Sequence, residues 1–188
     1  MRTIQLSAEQ MRGRIARFEA LRPLPTQNAA IPVAARDVVY SRKLLSVIGL
    51  EDALTPINAG ALIRGAAGMT MTLAVCPPGQ GPGLHAHLAT YETFTVLEGR
   101  FEVRWNDDGG ERAVLEQFDT VSFPPGVCRA FRNVGTAEGI LQVLITGGVH
   151  DMNDIDFVPQ AKQDIERVQP GLATEFEKAG FTFTAGRG

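Results

Sequence analysis

The sequence predicts an all-β protein: a sandwich or closed barrel over residues 57–148. A helical and extended N-terminal arm covers 1–56, and a C-terminal extension over 149–188 packs on the barrel. Three observations predict it. From about residue 57 the chain breaks into short strand-like runs at regular spacing, separated by turns rich in Gly, Pro, Asn and Asp. Several runs alternate cleanly, with Met69, Met71, Leu73 and Val75 on one face of the first and Phe101, Val103 and Trp105 on one face of another. The 188 residues, 44% of them hydrophobic and 21% charged, suffice for one domain with a substantial core plus extensions.

Taken in order, residues 7–21 read as a helix. Ser7 and Gln10 have the spacing of a capping box. Met11, Ile15, Phe18 and Leu21 form an apolar stripe that packs on the core or on a partner subunit. Pro23, Pro25 and Pro32 make residues 22–35 an extended linker. A second helix is expected from Asp37, as N-cap, to Ile48, with Gly49 just past its end. Thr93–Leu97 and Arg100–Asn106 flank Glu98-Gly99, a hairpin turn, and residues 106–110 form a second turn. Strand-like runs follow at 111–116, 119–123, 127–133 and 139–146. After Gly147-Gly148 the chain reads as polar and irregular. Pro170 to Gly180 is expected to hold a short helix, and Phe181-Thr-Phe-Thr an edge strand or a docked tail.

A net charge of −3 argues against nucleic acid or an anionic membrane as partner. No stretch approaches the ~18 apolar residues that span a bilayer, and the first residues lack an apolar signal core. Two cysteines, Cys76 and Cys128, are no disulfide framework. A cytoplasmic location is the expectation.

The chemistry-bearing stretch runs from Gly79 through His85, Ala86 and His87 to Glu92 and Gly99. Residues i and i+2 of a strand point to the same face, so His85 and His87 can aim at one point. With a nearby carboxylate, a strand-borne His-x-His makes a three-ligand metal site with open positions, the donor set of non-haem iron oxygenases.

Gly79, His85, His87, Glu92 and Gly99 match, at every spacing, the first motif of the cupin superfamily, which this sequence resembles. The second motif is matched by Pro124, Gly126 and Asn133, while Phe118 replaces its Gly and Arg129 replaces the His that is the remaining ligand in metal-binding cupins. The resemblance covers roughly 57–148. It implies a double-stranded β-helix, or jelly-roll, barrel, commonly paired as a homodimer. It also implies a divalent metal on His85, His87 and Glu92: Fe(II), with Mn, Ni or Zn as other occupants.

Arg129 shares a strand face with Val127 and Phe131, and in the family geometry points into the barrel. A guanidinium has no lone pair and cannot ligate a metal; in a half-apolar cavity it demands an anion. Either it pairs with Glu92, or it receives a substrate carboxylate and leaves Glu92 to a metal. Arg129 and Glu92 are the candidate catalytic residues, and Arg129, Tyr91, Phe94 and Phe131 the candidate substrate pocket. Strand parity makes Cys128 a small buried hydrophobe rather than a substitute ligand. His150, the one remaining histidine, reads as lying at a barrel end or on the surface.

The functional expectation is a metal-dependent, dioxygenase-like enzyme acting on a small anionic molecule. Two alternatives stay open: a metal-free barrel that binds or senses a small molecule, and a metal-independent isomerase with His85 as general base.

Overall fold

The computed structural model describes residues 3–24, 30–50, 56–65, 68–147 and 152–186. The N-terminal part holds helix α1 (Ala8–Arg12), a 3-10 turn at Phe18–Ala20, α2 (Val33–Val39), strand β1 (Lys43–Gly49), α3 (Pro56–Ala59) and β2 (Ile63–Arg64). Eight strands follow: β3 (Met69–Cys76), β4 (His85–His87), β5 (Tyr91–Glu98), β6 (Phe101–Trp105), β7 (Glu111–Leu115), β8 (Thr120–Phe123), β9 (Arg129–Asn133) and β10 (Gly139–Thr146). The chain closes with β11 (Ile155–Phe157), α4 (Pro159–Val168) and α5 (Leu172–Lys178).

The strands form two sheets, one ordered β2-β1-β3-β10-β5-β8 and the other β11-β4-β9-β6-β7. Every strand pair except β1 with β2 is antiparallel. Alternation turns one face of each strand inward, as in β5, where Glu92, Phe94 and Val96 are buried between half-buried neighbours. The inward faces meet in one apolar core that includes Ala74, Phe94, Val96, Phe101, Val103, Phe123, Phe131, Leu141 and Val143. Phe131 is its centre, with its ring 5.0 Å from Phe94 and 6.1 Å from Phe101, both edge-on.

Three expectations are corrected. Residues 37–48 are not one helix: α2 ends at Val39 and β1 begins at Lys43. Leu44, Leu45, Val47 and Ile48 suit a half-buried pleated surface, and pairing of β1 with β3 outweighs local helical spacing. Glu98-Gly99 does not close a hairpin, because β5 and β6 lie in different sheets. The turn carries the chain across, and Gly99, at φ 88°, supplies a left-handed conformation that side chains rarely adopt. The segment after 150 is ordered, with β11 paired to β4 and α4 behind it. Outside 57–148, β1 lies in the first sheet and β11 in the second.

The capping box at Ser7 and Gln10 forms, but α1 stops at Gly13. Of the apolar stripe only Leu21 is buried, against Leu45, Val47, Leu73 and Val75; Met11, Ile15 and Phe18 stay exposed.

A second apolar cluster joins α2, α4 and α5 to the tail through Ala35, Val39, Phe157, Ile165, Phe176, Phe181 and Phe183. The tail docks rather than adding a long edge strand. Only Thr182 bridges to Asp156, and Thr184 donates its N–H and hydroxyl to the Asp156 carboxylate at 2.8 and 2.6 Å.

Burial pushes the Asp156 carboxyl up, but the Thr184 hydrogen bonds more than offset it, so its pKa is lowered. A carboxylate with a lowered folded-state pKa stabilises the fold above its unfolded value, and that contribution is lost as pH falls through the folded one. Asp156→Ala is therefore expected to cost about 1–3 kcal/mol at pH 7 in urea unfolding. The gap to wild type should narrow as the pH is taken down through the carboxylate range. A gap independent of pH would show that the charge is not what holds the tail.

Candidate metal centre

β4 turns His85 and His87 to one face, into the space between the sheets, and both are buried. Arg129 stands opposite His85 on the neighbouring β9, and Glu92 comes from β5 in the other sheet. The loop before β4 is seated on β9 by backbone bonds from Gly79 N–H to Asn133 O and from Asn133 N–H to Gln80 O. Gly81 is required there: a Cβ would lie 1.9 Å from the carbonyl oxygen of Phe131. The loop's Gly83 carbonyl accepts from His85 Nδ1 at 3.0 Å.

His87 Nδ1 lies 3.0 Å from Thr90 Oγ1 and 3.1 Å from Asp154 Oδ2. Carbonyl and carboxylate oxygens only accept, so these partners place the proton of each imidazole on Nδ1. The Nε2 atoms then carry lone pairs. They face Glu92, with His85 Nε2 3.6 Å from Oε2 and His87 Nε2 3.8 Å from Oε1, beyond hydrogen-bond distance. Burial, the largest influence on His85, lowers its pKa and favours the neutral, ligating form. Three acceptors thus converge within 4.8 Å of one another with no proton among them. Two imidazoles and a carboxylate so arranged fit a divalent cation.

Arg129 Nε donates to Glu92 Oε2 at 2.8 Å, and Nη1 donates to Val127 O at 3.3 Å. Burial pushes the Glu92 carboxyl up, but the guanidinium and the two histidines more than offset this and hold it well below the usual carboxylate range. Arg129 bonds Oε2, which also faces His85, while Oε1 faces His87 and takes no bond from Arg129. The ion pair therefore leaves one oxygen of the carboxylate uncommitted, and the two roles posed as alternatives by the sequence are compatible. Arg129 Nη2 is fully buried and has no hydrogen-bond partner among the described residues.

The family model for the Cupin domain matches residues 72–145. Residues 72–145 are a cupin domain. No curated protein matches the chain. Solved structures similar to this cupin include a protein from Bacillus halodurans, at 20% identity over 47% of this chain and 70% of that one, TM-score 0.44. KdgF from Halomonas sp. matches at 16% identity over 45% and 75%, TM-score 0.41. The cupin domain of Schizosaccharomyces pombe Cnp3 matches at 15% identity over 57% and 73%, TM-score 0.42.

Asn133, which matches the second motif, ties three stretches of backbone together. Asn133 donates from Nδ2 to the carbonyls of Cys76 and Ala137, both at 2.8 Å, and accepts from Gly135 N–H. Tyr91 is corrected: it is 50% exposed and points out of the barrel, because it neighbours the inward Glu92 on an alternating strand. Phe94 and Phe131, two residues along from Glu92 and Arg129, face inward but fill the core against each other. Cys128 turns to the opposite face with Ala86, Val158 and Ala185, and burial, aided by Asp107, pushes its thiol up to about 11. His150 lies outside the described residues.

Sequence reasoning missed Asp154 and Thr90. Asp154 precedes β11, far along the chain, with no motif around it; only the pairing of β11 with β4 brings it to His87. Burial opposes its ionisation, yet bonds from His87, Thr90 and the Ala89 N–H bring its pKa down to about 2.

Proposed function

We propose that this cupin holds a divalent metal, with Fe(II) suiting the donor set, on His85, His87 and Glu92. It then acts as a dioxygenase-like enzyme on a small organic anion received by Arg129. The observation that carries the reading is the pairing of two unmet demands in one buried site. Two imidazole lone pairs and a carboxylate oxygen converge with no proton between them, and beside them a guanidinium nitrogen, Arg129 Nη2, is buried without an acceptor. The first demand calls for a cation and the second for an anion.

A bound ion would supply Lewis-acid and one-electron redox chemistry next to the substrate, with coordination positions left open by three protein ligands. The chain's own residues do the rest. Arg129 offers a charge-assisted hydrogen bond that orients a carboxylate, while its Nε–H fixes the Glu92 carboxylate. Phe94 and Phe131, two residues along from Glu92 and Arg129, make the surroundings apolar, which strengthens both electrostatic contacts.

Elemental analysis of untagged protein tests the reading. Wild type is expected to carry near-stoichiometric transition metal, and His87→Ala to lose it. No metal in wild type even after anaerobic Fe(II) loading would overturn the proposal. It would leave a metal-free anion-binding barrel, in which the Arg129–Glu92 pair alone neutralises the site.

A further inference from the structure

We infer that Asp154 is a positioning residue that fixes the proton of His87 on Nδ1 and so keeps Nε2 open toward the site. Asp154 is 4% exposed and is held from three sides. Its Oδ1 accepts from the Ala89 N–H at 2.6 Å, its Oδ2 accepts from the Thr90 hydroxyl at 2.5 Å, and its main-chain carbonyl accepts from the Leu88 N–H at 2.8 Å. It therefore grips the three residues that follow His87. Oδ2 also lies 3.1 Å from His87 Nδ1. A carboxylate can only accept, so a neutral His87 must present N–H on that side and its lone pair on the other. Thr90 Oγ1, 3.0 Å from the same nitrogen, has its proton committed to Asp154 and reinforces the choice. His85 obtains the same tautomer from the Gly83 carbonyl in its own loop. His87 obtains it from the C-terminal segment, in the next register position to the Ile155–His87 pair. Partners of this kind on ligating histidines orient the ring, and their loss typically costs about 10–100-fold in metal affinity.

Asp154→Asn distinguishes positioning from packing. The Ala89 N–H keeps the amide oxygen at the Oδ1 position, so the NH2 replaces Oδ2 and donates to His87 Nδ1. The proton then moves to Nε2 and blocks the lone pair.

Long-range ¹H–¹⁵N spectra of the metal-free protein should show His87 protonated on Nδ1 in wild type and on Nε2 in Asp154→Asn. Co(II) affinity should fall about 10–100-fold in that variant, while circular dichroism still shows a cooperative melt. Thr90→Val, which leaves the carboxylate in place, should retain the Nδ1–H form. A wild-type His87 protonated on Nε2 overturns the inference whether or not the variant folds. So does an Asp154→Asn protein with unchanged tautomer and Co(II) affinity. The affinity arm rests on the metal reading and the tautomer arm does not. The predicted tautomers without Co(II) uptake in wild type would uphold the role of Asp154 and remove the metal.

Discussion

Glu92→Gln is expected to lower the unfolding free energy by about 3–5 kcal/mol, measured by urea unfolding of the metal-free protein. Glu92 is 5% exposed and Arg129 fully buried, with Nε 2.8 Å from Oε2. Neither charge is screened by water. The amide can still accept from Nε, but it cannot neutralise the guanidinium, which is left as a buried, uncompensated cation beside two imidazoles. The double replacement Glu92→Leu with Arg129→Met removes both charges, so it is expected to cost less than Glu92→Gln alone. A loss below about 1 kcal/mol for Glu92→Gln would show that the pair is not desolvated. In a metal-loading experiment the same variant should also fail, since Gln brings no negative charge to the donor set.

Phe94→Ala has an effect of similar size with the opposite specificity. Phe94 has no exposed surface and packs on Phe123 at 5.8 Å and Phe131 at 5.0 Å. Truncation opens a cavity in the middle of the barrel and is expected to cost about 3–5 kcal/mol in urea or thermal unfolding. Metal content should be unchanged at temperatures where the variant is folded, because the ring packs in the core against Phe123 and Phe131 and supplies no donor atom. A variant of near wild-type stability with altered ligand binding would instead make Phe94 a pocket wall, as the sequence first suggested.

The sequence showed the donor set because strand parity is a strictly local rule. His85 and His87 share a face whatever else the chain does, and the spacing to Glu92 and Gly99 is that of a family motif. The same parity grouped Arg129 with Val127 and Phe131, and the family resemblance put that face inside. The remainder depended on which strands meet. Glu98-Gly99 looks alike in a hairpin and in a crossing between sheets, and only the partners β10 and β9 decide which. The run from Leu44 to Ile48 fits a helix face and a strand equally until β3 is beside it. Tyr91 was misplaced because adjacency in sequence to Glu92 was read as adjacency in space, which alternation forbids. Asp154 was invisible for a different reason. It belongs to no periodic pattern, and its value comes entirely from a single long-range strand pairing.

The donors His85, His87 and Glu92 come from one short stretch of chain, whereas Arg129 and Asp154 arrive from far downstream. Unfolding would therefore separate a bound ion from this clamp without dispersing the three donors. A denatured chain keeps the three donors on one flexible peptide, which would retain some affinity of its own. Binding to the unfolded state subtracts from the stabilisation that an ion confers on the native one. The rise in melting temperature on metal addition will accordingly understate the affinity of the folded site, and the difference between the two is the share contributed by the closed barrel.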